Sequence, residues 1–266
     1  MRPDLEPIIY KEPNEDIVII PVYDLHIGSE QFQKKRWEEF VQKVQDDPTI
    51  RIVIGGDCLD FGIKSSVTLP YEQTMRPREQ KAYLSETLEP IKKRILCGVS
   101  GNHEYRGVKE VDDNPLYDVF CKMDIEDKYR ENGAFLFLTF GDRYKETGEG
   151  ISGRSRPYYC IMVHHGSGGG TYIGSQTYKQ ERFGSMVEGL DILITGHTHK
   201  PITFPAGKLV CDPRNKAVVV KEFRVVTANS WLEYGGYPLR KLLSPVATTL
   251  TEIRLNGSRK EVRISQ

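Results

Sequence analysis

The chain has 266 residues with Lys+Arg and Asp+Glu both at 37, so its formal charge is zero and it lacks the overall basic character of many nucleic-acid binders. That length supports one large domain or two small ones, with a core that needs no staples. The five cysteines, Cys58, Cys97, Cys121, Cys160 and Cys211, are odd in number and widely spaced, and all but Cys121 lie in or beside apolar runs. They read as reduced core or near-core thiols of a cytoplasmic protein, not as a disulfide framework or a thiolate metal site. The first residues, Met1 to Pro7, hold no apolar leader, and no stretch approaches 18 uncharged apolar residues. The expectation is no signal peptide and no membrane span.

Residues 1–15, rich in Pro and acid, read as an irregular lead-in. The apolar run Ile17 to Tyr23 is then a buried strand with Asp24 at its C-terminal end. Trp37, Phe40, Val41 and Val44 recur at helical spacing, and Asp46-Asp47-Pro48 ends that helix. Ile50 to Ile54 is a second strand, which delivers Gly55-Gly56-Asp57. Residues 62–77 have no period and read as a loop. Leu84, Leu88 and Ile91 mark a helix beginning near Arg78, and Ile95 to Val99 is a third strand, ending in Ser100-Gly101-Asn102-His103. Strand-helix alternation of this kind predicts a largely parallel arrangement.

A helix is expected around Pro115 to Met123, a strand over 134–140, and a basic loop from Gly141 to Pro157 with Arg143, Lys145, Arg154 and Arg156. Tyr158 to Val163 is a strand carrying His164-His165, followed by the flexible Gly168-Gly169-Gly170. A helix over about 177–187 leads to strand Ile192 to Ile194 and Gly196-His197-Thr198-His199. After 200 short β-like runs follow at 217–220, 223–226, 248–255 and 262–265.

All six histidines sit beside Asp, Asn, Gly or another His in these short blocks at strand ends. Imidazole and carboxylate donors suit Zn, Mn or Fe better than Ca or an all-thiolate site. Seven or eight such groups exceed one tetrahedral site, so two adjacent ions sharing a carboxylate explain the set. Such a pair, about 3.5–4 Å apart, generates a hydroxide and stabilises the attacking and leaving oxygens of a phosphoryl displacement.

The ordered series Asp24-x-His26, Gly56-Asp57-x-x-Asp60, Gly101-Asn102-His103-Glu104, His164-His165 and Gly196-His197-x-His199 resembles the calcineurin-like metallophosphoesterase superfamily. The resemblance implies a four-layer α/β/β/α sandwich of two mixed β-sheets flanked by helices, as a single domain over 1–266 with a β-rich part from 200. It implies a hydrolase of phosphate esters, with phosphodiesters expected, that uses two divalent metal ions. Manganese is expected, with Zn, Fe or Mg as alternatives. One ion would take Asp24, His26, Asp57 and His199, the other Asp57, Asn102, His164 and His197, with Asp57 bridging. Within His164-His165 the family spacing favours His164, leaving His165 to orient a ligand or face substrate. His103 would be the catalytic acid at the leaving oxygen, and Asp60 and Glu104 would support from behind.

In the protein Ser/Thr phosphatase branch two arginines hold the phosphate; here Phe61 follows Asp60 and Ser100 precedes Gly101. That departure argues against a protein phosphatase. A small-ester phosphodiesterase remains, with a DNA nuclease of the Mre11/SbcD type as the alternative and a catalytically silent metal-binding scaffold as a third class. The nuclease reading rests on Lys64, Tyr71, Arg76, Arg143, Arg154, Arg156, Tyr172, Tyr178, Lys179 and Arg182, which could contact phosphates and stack bases, although such loops are commonly just solvated. The expected partner is a phosphate-ester substrate, nucleic acid included, and no membrane.

Overall fold

The structure is a computed structural model that describes residues 5–13, 16–64, 66, 70–141, 146–147, 150–151, 157–168, 173–236, 239, 244–245 and 247–266. The chain runs β1 (Ile8–Glu12), β2 (Asp16–Val22), α1 (Lys34–Asp46), β3 (Ile50–Ile54), α2 (Pro77–Leu88), β4 (Ile95–Val99), α3 (Asn102–Val111), α4 (Pro115–Lys122), β5 (Tyr129–Arg130) and β6 (Gly133–Phe140). It continues through β7 (Glu146–Thr147), β8 (Gly150–Ile151), β9 (Tyr158–His164), α5 (Ile173–Met186), β10 (Ile192–Thr195), β11 (Ile202–Asp212), β12 (Ala217–Thr227), β13 (Glu252–Asn256) and β14 (Val262–Ser265). One six-stranded mixed sheet has the order β1-β6-β9-β10-β12-β11, and a second has the order β14-β13-β2-β3-β4-β5.

The alternation of side chains along each strand makes the layers. In β2, Ile17 and Ile19 point into the space between the sheets, while Ile20 and Val22 face the helical side with Trp37, Phe40, Leu84 and Leu116. In β9, Tyr159, Ile161 and Val163 face inward, while Met162 joins the cluster of Leu193 and Phe223 on the other face of that sheet. Each central strand is therefore buried on both sides, which is why it reads as a continuous apolar run. The result is the expected α/β/β/α layering. β2, β3 and β4 are parallel neighbours, as are β9, β10 and β12, so several loops leave from C-terminal strand ends, where ligand sites collect in α/β sheets.

Some elements differ from expectation. Residues 8–12, in the expected lead-in, form β1, paired in parallel with β6. Its Glu12 is buried and bonded to Arg51 Nη2 at 2.6 Å, across the interface between the sheets. A short edge strand is legible only through its pairing partner, so the Pro- and acid-rich residues around it hid it. The runs at 217–220 and 223–226 are one strand, β12, paired along its whole length with the unforeseen β11. The outer half of that ribbon extends past the rest of the sheet, so Leu209, Val218 and Val220 are exposed, and so is Cys211, contrary to its near-core expectation. Helix α3 starts within the third motif, where no helix was expected. Described parts of 62–77 hold one 3₁₀ turn at Pro70–Glu72 before α2 begins. Most of the basic loop 141–157, Arg143, Lys145, Arg154 and Arg156 among it, lies outside the described residues, as do Gly169, Gly170 and Tyr172. Among the described residues no helix is long and apolar enough to cross a membrane.

Breaking a buried ion pair strands one charge, whereas removing both partners does not. Arg51→Leu is expected to lower the unfolding free energy by about 3–5 kcal/mol, and Arg51→Leu with Glu12→Leu by clearly less, in urea titrations followed by circular dichroism. Equal losses in the two variants would show that the pair contributes packing alone.

Candidate metal centre

Each strand-end block turns inward immediately after its strand. The segments after β2 and β3 run side by side as an irregular ladder: Asp24 N donates to Gly56 O (3.1 Å), His26 N to Asp57 O (2.9 Å) and Ile27 N to Cys58 O (2.9 Å). To aim both side chains at one point the backbone adopts the left-handed region, which non-glycine residues rarely enter. Asp24, His26, Asp57, His197 and His199 all have φ between 49° and 68°. Gly56 lies between the ladder and the third motif with φ +87°, and a Cβ there would sit 2.2 Å from Gly101 N; only glycine fits.

Three networks hold these turns. Glu104, fully buried on α3, accepts N–H bonds from Asp57 (2.8 Å), Leu59 (3.0 Å) and Gly101 (2.9 Å), tying the second motif to the third. Tyr23 is fully buried, its hydroxyl donates to Ile194 O (3.1 Å), and its ring fills the space that a Cβ would need at Gly55 and at Gly196. Asp24 O accepts from Trp231 N (3.1 Å) and Ser230 Oγ (3.3 Å), so a segment 200 residues downstream also braces the first motif.

The side chains converge in two groups. In one, His26 Nε2 and His199 Nε2 are 3.3 Å apart and Asp24 Oδ1 is 3.6 Å from His199 Nε2. In the other, His165 Nε2 lies 3.1 Å from Asn102 Oδ1, 3.2 Å from His197 Nδ1 and 3.3 Å from Asp57 Oδ2. His103 stands beside both, with Nε2 3.9 Å from Asp57 Oδ2 and its ring packed edge-on against His26. Asp60 approaches the rear nitrogens, Nδ1 of His26 at 3.5 Å and Nδ1 of His103 at 3.4 Å, so both rings turn Nε2 toward the centre. Gln73 Nε2 donates to Asp60 Oδ2 (2.7 Å) and Gln80 Nε2 to Gln73 Oε1 (2.7 Å), extending the support into α2.

The resemblance pointed to His164, but the structure brings His165 into the cluster instead. His165 Nδ1 bonds Gly55 O at 2.9 Å, whereas His164 Nδ1 accepts from Gly166 N and its ring faces Phe183 of α5. The physical reason is strand parity: Tyr159, Ile161 and Val163 face the inter-sheet side, and residue 165 continues that phase.

Burial and charge explain the electrostatics. Burial raises the Asp24 carboxyl to about 7, against the pull of His165 and His26. Burial also opposes ionisation of Asp57, yet His165 and His103 hold its carboxyl well below the usual range. His165 and His103 are disfavoured as cations by burial, but Asp57 raises them to about 10 and 9. Burial and the neighbouring His26 drop His199 to about 3. Asp57 thus favours positive charge on His165 and His103, whereas His199 is held neutral.

The donors fit divalent metal ions. Asp24 Oδ1 is buried with no hydrogen-bond partner among the described residues, and ring nitrogens meet at 3.2–3.3 Å in both groups, a distance at which two lone pairs repel unless a cation or proton intervenes. Nitrogen and carboxylate oxygen in this mixture suit Mn, Zn or Fe. Asn102 is exposed and His197, His199 and His103 are half-buried, so this side of the centre is open to a substrate.

A family model described as calcineurin-like phosphoesterase matches residues 24–201. A DNA polymerase II small subunit from Thermoplasma acidophilum is 28% identical over 144 residues, which cover 51% of this chain and 28% of that protein. The chain therefore spans well under two thirds of that relative's length. Among solved structures, the calcineurin-like phosphoesterase YfkN from Bacillus subtilis aligns with a TM-score of 0.42 at 12% identity, over 95% of this chain and 91% of that one.

Glu104→Gln would turn an amide NH₂ toward backbone donors in a buried site. It is expected to remove about 1.5–3 kcal/mol of stability and to weaken divalent-ion affinity about 10–100-fold, measured by chemical unfolding and by calorimetric titration with Mn²⁺. Unchanged affinity with lowered stability would separate the Glu104 network from the centre.

Proposed function

Because the chain belongs to the calcineurin-like phosphoesterase family, we propose that it is a phosphodiesterase working with two divalent ions, manganese foremost. Asp24, His26, Asp57 and His199 would hold one ion, and Asp57, Asn102, His165 and His197 the other. The observation that supports this most is Asp57 Oδ2, 4.0 Å from His26 Nε2 in one group and 3.3 Å from His165 Nε2 in the other. Ions bound there would supply a nucleophile from water at neutral pH and offset the charge on the phosphoryl oxygens.

The chain's own groups do the rest. The Gly55 carbonyl fixes the His165 tautomer, and Asp60 those of His26 and His103. We assign to His103 Nε2 the proton that goes to the leaving oxygen, a role supported by its Nδ1 contact to Asp60 O at 2.7 Å, which leaves Nε2 on the open side.

A second reading, a DNA nuclease, is favoured by the likeness to a DNA polymerase II small subunit. Among the described residues Tyr71 and Tyr178 are largely exposed, and Lys179 leans over Gly168 in the turn after His165. Exposed tyrosines and lysines of this kind could stack bases and contact phosphates.

Metal analysis by mass spectrometry should find about two ions per chain, as in two-metal phosphoesterase sites. Asp57→Asn should lower both, His165→Ala should remove about one of the two, and His164→Ala should leave the stoichiometry intact. Loss with His164→Ala but not with His165→Ala would return the ligand role to His164.

Hydrolysis of bis(4-nitrophenyl) phosphate with Mn²⁺ tests the function. Turnover is expected and should fall about 10²–10⁴-fold in His103→Ala with metal retained; an inert wild type would leave the silent-scaffold class. DNA cleavage whose binding falls with salt at a log-log slope near −0.7 to −0.9 per phosphate, and which Arg154→Ala with Arg156→Ala weakens, would rank the nuclease first.

A further inference from the structure

Helix α3 carries a second charged group on the face that holds His103. Residues three apart on a helix share a face and are about 4.5 Å apart along its axis, so Arg106 stands one turn beyond His103. The side chain is half-buried, and its Nη1 is withdrawn from solvent with no hydrogen-bond partner among the described residues. Such a nitrogen is costly to leave unmatched, and the guanidinium fork is shaped for carboxylate and phosphate oxygens.

Three carboxylates around the centre and the end of α3 are committed elsewhere. Glu104 receives three backbone N–H groups, Asp60 serves His26, His103 and Gln73, and Asp113 is paired with Lys81. Arg106 is close enough to His103 for its charge to oppose protonation of that ring. Phe61 lies against the helix at Gly107, where a Cβ would be 2.7 Å from its ring, and neither Phe61 nor Ser100 offers a cation.

We propose that Arg106 is a specificity residue that binds a second phosphate, carried on the leaving portion of the substrate about one helical turn from the scissile group. This rests on the phosphodiesterase reading, in which His103 serves the leaving oxygen. The favoured substrate is then a diester whose released half bears its own phosphate, not one that releases a neutral alcohol.

The test compares the dinucleotide TpT with TpT carrying a terminal phosphate on the leaving nucleoside, using the Mn²⁺-loaded full chain. Wild type should favour the phosphorylated form about 10–100-fold, mainly through KM, as for loss or gain of a charge-assisted hydrogen bond. Arg106→Ala should lower kcat/KM for that form about 10–100-fold more than for TpT, and Arg106→Lys should restore part of the difference. A wild type without the preference, or a preference that survives Arg106→Ala, overturns the inference while leaving the phosphodiesterase reading intact. If neither dinucleotide is cleaved, that reading fails, and calorimetric titration with inorganic phosphate still decides on Arg106. A Kd about tenfold weaker in Arg106→Ala supports it; equal affinities overturn it.

Discussion

Three backbone N–H groups, from Asp57, Leu59 and Gly101, converge on the single buried carboxylate of Glu104. Without an acceptor there, the turn after β3 and the start of α3 could not approach one another, because buried amides must find partners. With it, the amide of His103 also reaches Asp57 Oδ1 at 2.8 Å, leaving Oδ2 directed at the histidines. The geometry of Asp57 therefore depends on a residue that never faces the centre.

The second constraint is backbone strain. Five converging residues hold left-handed φ values, a conformation that costs of order 1–3 kcal/mol per residue. Such a conformation persists only where its surroundings over-determine it, and here the ladder of Asp24 and His26 with Gly56 and Asp57, the Asp24 Oδ2 bond from His197 N (2.9 Å) and the downstream brace at Ser230 and Trp231 do so. Converging side chains from one sheet are locked by bonds from the other, so the centre exists only when both sheets have docked.

The sequence made much of this legible. Apolar strands such as Ile95–Val99 are buried on both faces, so they stand out as runs without a charge, and Trp37, Phe40, Val41 and Val44 mark α1 by period alone. The histidine blocks pointed to a metal site because no histidine lies outside them. The choice between His164 and His165 was out of reach: both faces of β9 are apolar, so alternation cannot tell which parity faces the other sheet. β1 was hidden because an edge strand owes its existence to its partner, here the distant β6, while β11 pairs with the adjacent β12 but carries Pro205 and Gly207 in its middle, residues that read as a loop. Glu104 was seen as supporting, but its three donors are set by tertiary geometry, and Tyr23 looked like one more strand residue.

Tyr23 has a consequence for how this chain can change over time. Its ring occupies the volume that side chains would claim at Gly55 and Gly196. A larger residue at either glycine collides with the ring, and a smaller one at 23 leaves a void beneath the aspartate that follows it. A larger residue at either glycine therefore requires a change at position 23, and at Gly196 Asp24 Oδ2, 2.9 Å from a Cβ there, would have to move as well. The three sites form an epistatic unit, and drift through them is confined to compensated steps.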